Sequence, residues 1–93
     1  MQKDIIVLNN AETAIYNELR ELRAKWTDVE AKIEQNPDNE IIFAPICDIC
    51  ERNYKTCRLF VARAFNVDIQ TIEDIIHGKY KVIAEESIPV YNA

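Results

Sequence analysis

The residues that nominally make a thiolate and imidazole set for zinc are three cysteines and the single histidine: Cys47 and Cys50 form a Cys-x-x-Cys pair, and Cys57 and His77 follow. Three thiolates and an imidazole would satisfy tetrahedral zinc. A zinc knuckle normally sits on a turn, however, and these cysteines fall in a segment whose pattern predicts helix, where Cys50 and Cys57 also serve as small apolar core residues. The redox use of Cys-x-x-Cys needs a βαβ setting that the sequence lacks. An odd cysteine count without an even spacing framework reads as reduced thiols in a cytoplasm, not as a disulfide scaffold. We expect no metal and no other cofactor.

The remaining reactive side chains do not assemble into a catalytic set. His77 falls near a predicted helix C-terminus, where the dipole favours its protonated form, and no Ser, Asp or Cys partner can be placed beside it from spacing. Glu12, Glu18, Glu21 and Glu30 occupy solvated helix positions, and Glu21–Lys25 and Asp28–Lys32 have the i, i+4 spacing of surface ion pairs. One glycine in the whole chain leaves no room for a phosphate-cradling loop. The expectation is a non-enzyme.

The elements that carry these residues are predicted to be mainly helical. At 93 residues, 48% of them hydrophobic and 29% charged, the chain has the composition of one folded domain spanning 1–93. The run Ile5 to Leu8 is too short for a signal-peptide core, and no stretch approaches the roughly 18 apolar residues of a membrane span. That run reads as a short strand. Asn9 with Glu12 has capping-box spacing, and Ile15, Leu19, Leu22, Trp26, Val29 and Ile33 then recur at intervals of 4, 3, 4, 3 and 4. This is a heptad seam on a helix predicted over 10–35, ended by Asn36-Pro37-Asp38-Asn39. Glu18 and Lys25 at g, with Arg23 and Glu30 at e, attract across a parallel or an antiparallel pair, so the six apolar residues are the expected dimer interface. The alternative is that the stripe packs on its own chain.

Beyond the turn, Glu40 to Phe43 is β-tolerant, Pro45 suits the start of a helix over 44–53, Tyr54-Lys55 is read as a break, and Thr56 as the N-cap of a helix over 57–65. Asn66-Val67-Asp68 precedes a helix over 69–77, and the only glycine, Gly78, falls where its C-cap wants positive φ. The segment 41–81 is thus expected as a trihelical core. The last residues, 82–93, form a tail or wing: Lys79 to Tyr91 alternates like a short C-terminal β-hairpin turning at Glu85-Glu86-Ser87, with Pro89 tolerable only on an edge.

Residues Arg58 to His77, RLFVARAFNVDIQTIEDIIH, resemble the helix-turn-helix of DNA-binding regulators of the phage-repressor and resolvase type. The resemblance covers about a quarter of the chain, or half with the preceding helix. In that pattern a small residue sits where the helices cross (Ala62), after a buried aliphatic (Val61) and before a large apolar residue (Phe65). The turn supplies a residue tolerant of positive φ (Asn66), a buried Val (Val67) and an N-cap (Asp68), and Ile72, Ile75 and Ile76 pack back. The resemblance implies a dimer on double-stranded DNA, with base contacts from Ile69, Gln70 and Thr71 and phosphate contacts from Lys55, Thr56, Arg58, Arg63, Lys79, Tyr80 and Lys81.

Charge argues the other way. Residues 1–40 carry five Lys/Arg against nine Asp/Glu, residues 41–83 six against five, and the total is −5. A DNA binder draws most of its affinity from a basic footprint, and Glu73 and Asp74 on the recognition helix would repel phosphates. Two functions therefore follow from the sequence: a small dimeric transcriptional regulator of prokaryotic or viral type, or an acidic adaptor or inhibitor, of the kind viral and mobile-element genomes encode, that turns the same scaffold toward a protein.

Overall fold

A computed structural model describes residues 4–85. In order, it has strand β1 (Asp4–Leu8), helix α1 (Asn10–Gln35), a single 3-10 turn (Pro37–Asn39), helix α2 (Glu40–Phe65), helix α3 (Ile69–Ile76) and strand β2 (Tyr80–Ala84). The protein is mainly α-helical with a long N-terminal helix, as its periodicity predicts.

The start of α1 is fixed by the expected capping box: Glu12 N–H donates to Asn9 Oδ1 at 2.8 Å, and Asn9 N–H donates to Glu12 Oε1 at 3.0 Å. Its end is fixed by Asn36 and Pro37. The Asn36 side chain accepts from Asp38 N–H at 3.1 Å, and Asn39 Nδ2 donates back to the Lys32 carbonyl at 3.0 Å. Three residues of 3-10 turn between two long helices bring α2 back alongside α1 as a helical hairpin.

That hairpin corrects the expected dimer interface. Ile15, Leu19, Leu22, Trp26, Val29 and Ile33 lie buried or half-buried, with Leu19 fully buried, and the stripe is taken up inside the chain. Ile15, Leu22 and Trp26 pack against a core formed by Leu8, Tyr16, Leu19, Tyr54, Val61, Ala62, Ile72 and Ile75. The physical reason is proximity: the short connection presents α2 to the seam with little closure entropy, whereas a second copy must first be captured from solution.

Helix α2 corrects a second expectation. Glu40 to Phe43 is helical, and no break occurs at Tyr54-Lys55: one helix of 26 residues replaces the two that were expected, so Thr56 is a mid-helix residue and not an N-cap. Tyr54 is 2% exposed, its ring set against Trp26 with centroids 5.5 Å apart, and this burial outweighs its modest helix propensity. Lys55 stays helical with an i, i+4 partner, Glu51, at 2.8 Å.

Strands β1 and β2 pair in parallel, from Asp4 opposite Tyr80 to Leu8 opposite Ala84. The first limb of the expected hairpin therefore finds its partner at the other end of the sequence, with α1, α2 and α3 supplying the crossover that a parallel pair requires. Residues 86 to 93, which include most of the expected hairpin turn and Pro89, lie outside the described residues. Among the described residues, no helix is long and apolar enough to cross a membrane.

Candidate functional site at the α2–α3 turn

Helices α2 and α3 are joined by a three-residue turn, Asn66, Val67 and Asp68. Asn66 adopts the left-handed conformation, φ 56° and ψ 45°, so the helix closes with Val67 N–H donating to the Ala62 carbonyl at 3.0 Å. Asp68 then caps α3, accepting from Thr71 N–H at 2.8 Å and from Thr71 Oγ1 at 2.7 Å. Gly78 takes φ 82° after the helix, and a side chain there would meet no atom within 4 Å. Its backbone conformation alone therefore calls for glycine. Val61 and Ala62 are buried where the helices meet, as are Ile72 and Ile75; Phe65 and Ile76 are half-buried. Val67, expected to be buried, is instead 38% exposed.

The side chains do something the sequence did not suggest. Glu73 turns inward from α3 and accepts hydrogen bonds from Tyr54 Oη at 2.8 Å and Arg58 Nη1 at 2.6 Å, both on α2. His77 Nε2 lies 3.3 Å from its other carboxylate oxygen, and the Arg58 guanidinium sits over the Tyr54 ring at 5.6 Å. Arg58 and Glu73 keep only 21% of their side-chain surface exposed, so this pair is far less screened than a surface ion pair. The cluster bolts α3 to α2.

Titration follows from that geometry. Burial pushes the Tyr54 hydroxyl up, reinforced by its hydrogen bond to Glu73, to about 12. Burial also works against the Glu73 carboxylate, but the hydrogen bonds from Arg58 and Tyr54 and the charges of Arg58 and His77 outweigh it and hold Glu73 below the usual carboxylate range.

The residues expected to touch DNA are largely engaged elsewhere. Gln70 Nε2 donates to Asp74 Oδ1 at 3.0 Å, and Thr71 is spent on the Asp68 cap; Ile69 remains 39% exposed. Of the phosphate set, Lys55 is paired with Glu51, Arg58 is locked to Glu73, and Lys79 Nζ reaches Asp74 at 3.2 Å. Tyr80 packs against the core, and Thr56, Arg63 and Lys81 are exposed. Hydrogen bonds from Gln70 and Lys79 hold Asp74 ionised to lower pH than usual, so a carboxylate charge stays on the outer side of α3 at neutral pH.

Tyr54, Arg58 and Glu73 form the polar cluster that the sequence reading missed, and a signal for it was present. Arg58 shares a helix face with Tyr54, Val61 and Phe65, at i−4, i+3 and i+7. A cation on an otherwise apolar face calls for a carboxylate partner. Among the described residues the cysteines do not assemble with other metal-binding side chains: Cys47, Cys50 and Cys57 are free thiols along α2, His77 faces Glu73, and no three such groups converge. Burial pushes the Cys47 and Cys57 thiols up, away from the reactive thiolate.

Apolar side chains are left on the opposite face of α2. Ile41, Ile42, Ile46, Ile49 and Phe60 are 87%, 65%, 43%, 55% and 60% exposed. Compared with protein-family models, curated proteins and solved structures, the chain finds no match.

Proposed function

We propose that the chain is a non-catalytic protein-interaction module, in which the helix-turn-helix serves as a brace and the outer face of α2 is the binding surface. The observation that carries this reading is the run of exposed large apolar side chains from Ile41 to Phe60 on one helix. Several large apolar side chains exposed on one helix face, even with Asn53 and Thr56 among them, mark an interaction site on a folded protein. The opposite allocation on α3 supports it: Gln70, Thr71 and Glu73 are committed within the chain, and Asp74 takes up Lys79, a cation that phosphate binding would need. Free thiols at Cys47, Cys50 and Cys57 suit a reducing, cytoplasmic setting.

The turn geometry favours a second reading, a dimeric DNA-binding regulator. Asn66, Ala62 and Asp68 satisfy the backbone requirements of that motif, and Ile69, Arg63 and Lys81 remain exposed to serve it. Titrating a labelled random-sequence duplex pool at about 50 mM and about 200 mM salt separates the two, because phosphate-driven binding weakens steeply over that range. The protein-binding reading expects no retention at either salt. Salt-sensitive retention enriching a palindrome would overturn it in favour of the regulator. Asp74→Lys sharpens the test, since it changes the charge of α3 without touching the Tyr54–Arg58–Glu73 cluster.

A further inference from the structure

We infer that the occupant of the outer face of α2 is a second copy of the same chain, joined in parallel along a coiled-coil seam. The inference rests on the reading of that face as the binding surface. Ile42, Ile46, Ile49, Asn53, Thr56 and Phe60 recur at intervals of 4, 3, 4, 3 and 4, which places Ile46, Asn53 and Phe60 at a and Ile42, Ile49 and Thr56 at d. All six are exposed, on the side of α2 away from the buried Tyr54 and Val61. A helix face that keeps heptad spacing for nearly three turns of the repeat is shaped to receive another helix.

Three features select the second copy and its orientation. The first is area. With Leu59 at g widening the stripe on one flank, the exposed apolar side chains of the seam present on the order of 500 Å² per chain, so two copies would remove roughly 1,000 Å² from water, the size of a weak, concentration-dependent interface. The second is Asn53. A lone Asn at an a position pairs with its own counterpart in a parallel two-stranded seam and fixes register there at some cost in stability. The third is charge. Flanking the seam on α2 itself, the g positions are Pro45, Arg52 and Leu59 and the e positions are Phe43, Cys50 and Cys57, so Arg52 is the one charge among these α2 positions. A parallel pair sets Arg52 opposite the uncharged Cys57 of the other copy, whereas an antiparallel pair sets Arg52 against itself. Arg63 occupies the next d position and ends the apolar run, where long side chains can splay into solvent. The parallel arrangement brings both α3 helices to one end of the assembly.

Sedimentation velocity of the full chain, from about 1 to about 300 µM, tests the seam over the range expected of a small interface. The mass rises to that of two copies as concentration increases. Ile49→Asp stays monomeric across the range while keeping its helical circular dichroism, a loss of about 100-fold or more in association. Asn53→Cys, which meets its own counterpart only in a parallel seam, gives a covalent dimer on mild oxidation in excess of any formed by the native cysteines. A chain that is monomeric at every concentration, an assembly larger than two, or an Asn53→Cys chain that does not crosslink overturns the parallel dimer and leaves the protein-binding reading standing. Salt-dependent duplex binding that survives Ile49→Asp overturns that reading as well.

Discussion

Two stripes with the same spacing run along the two long helices, and they meet opposite fates. On α1 the apolar positions from Ile15 to Ile33 follow intervals of 4, 3, 4, 3 and 4 and are turned into the hairpin; on α2 the positions from Ile42 to Phe60 follow the same intervals and face solvent. Periodicity tells which residues share a face but not what that face meets. Composition within the stripe carries the rest: the α1 seam is apolar at all six positions and includes Trp26, whereas the α2 seam is interrupted by Asn53 and Thr56. The wholly apolar α1 stripe gains most from burial in the hairpin, whereas Asn53 and Thr56 lower the cost of leaving the α2 stripe in water.

The two stripes differ most at Leu19, which is completely buried in the core. Leu19→Ala should cost about 3 to 5 kcal/mol, measured by urea denaturation, because a fully buried Leu leaves a cavity. Ile49→Ala should change stability by under about 0.5 kcal/mol at concentrations where the chain is monomeric, since its methyl groups are already in water. Equal costs at the two sites would erase the distinction between the stripes.

Removing the bolt between α2 and α3 gives the next largest effect. Glu73→Gln should cost about 1 to 2 kcal/mol, tempered by the partial exposure of the pair, through loss of the charged acceptor for Arg58 and Tyr54. Its pH signature is specific. Because the folded pKa of Glu73 lies below its unfolded value, its contribution is full above an ordinary carboxylate pKa of about 4.3 and disappears as pH falls through the lower folded value. The wild-type chain should therefore lose stability on that acid limb, and Glu73→Gln should flatten it. A variant that keeps the full acid dependence would show that the cluster does not hold α3.

The smallest effect is expected at the turn. Asn66→Gly should be close to neutral or stabilising by a few tenths of a kcal/mol, and Asn66→Ala should destabilise by about 1 kcal/mol, because only the second must force a Cβ into the left-handed region that Asn tolerates. A thermal melt of the pair checks it.

Much of the fold was legible locally. The Asn9–Glu12 box, the Asn36-Pro37 stop, the Asn66 turn, the Asp68 cap and Gly78 are determined by their own residues and neighbours, and they stand where spacing puts them. What failed was tertiary. Tyr54-Lys55 reads as a break on propensity, and the helix continues because Trp26, distant in sequence, packs on Tyr54. The parallel pairing of β1 with β2 joins segments some seventy residues apart and leaves no local trace. At the site, the charge of Arg58 suits solvent or phosphate and that of Glu73 suits solvent in the sequence; only the crossing of α2 by α3 sets them 2.6 Å apart. The α2 seam was hidden by the same error as the helix, since a chain read as broken at Tyr54 cannot carry a heptad through Asn53 and Thr56.

The most direct test of the two-stripe account compares Leu22→Asp with Ile49→Asp, each followed by circular dichroism and sedimentation in one sample series. Leu22→Asp is expected to unfold the chain, because its charge would be forced into the hairpin, and Ile49→Asp to stay folded and lose only association. A folded, monomeric Leu22→Asp together with an unfolded Ile49→Asp would mean that α1 is the outward face and α2 the inward one, and would contradict it.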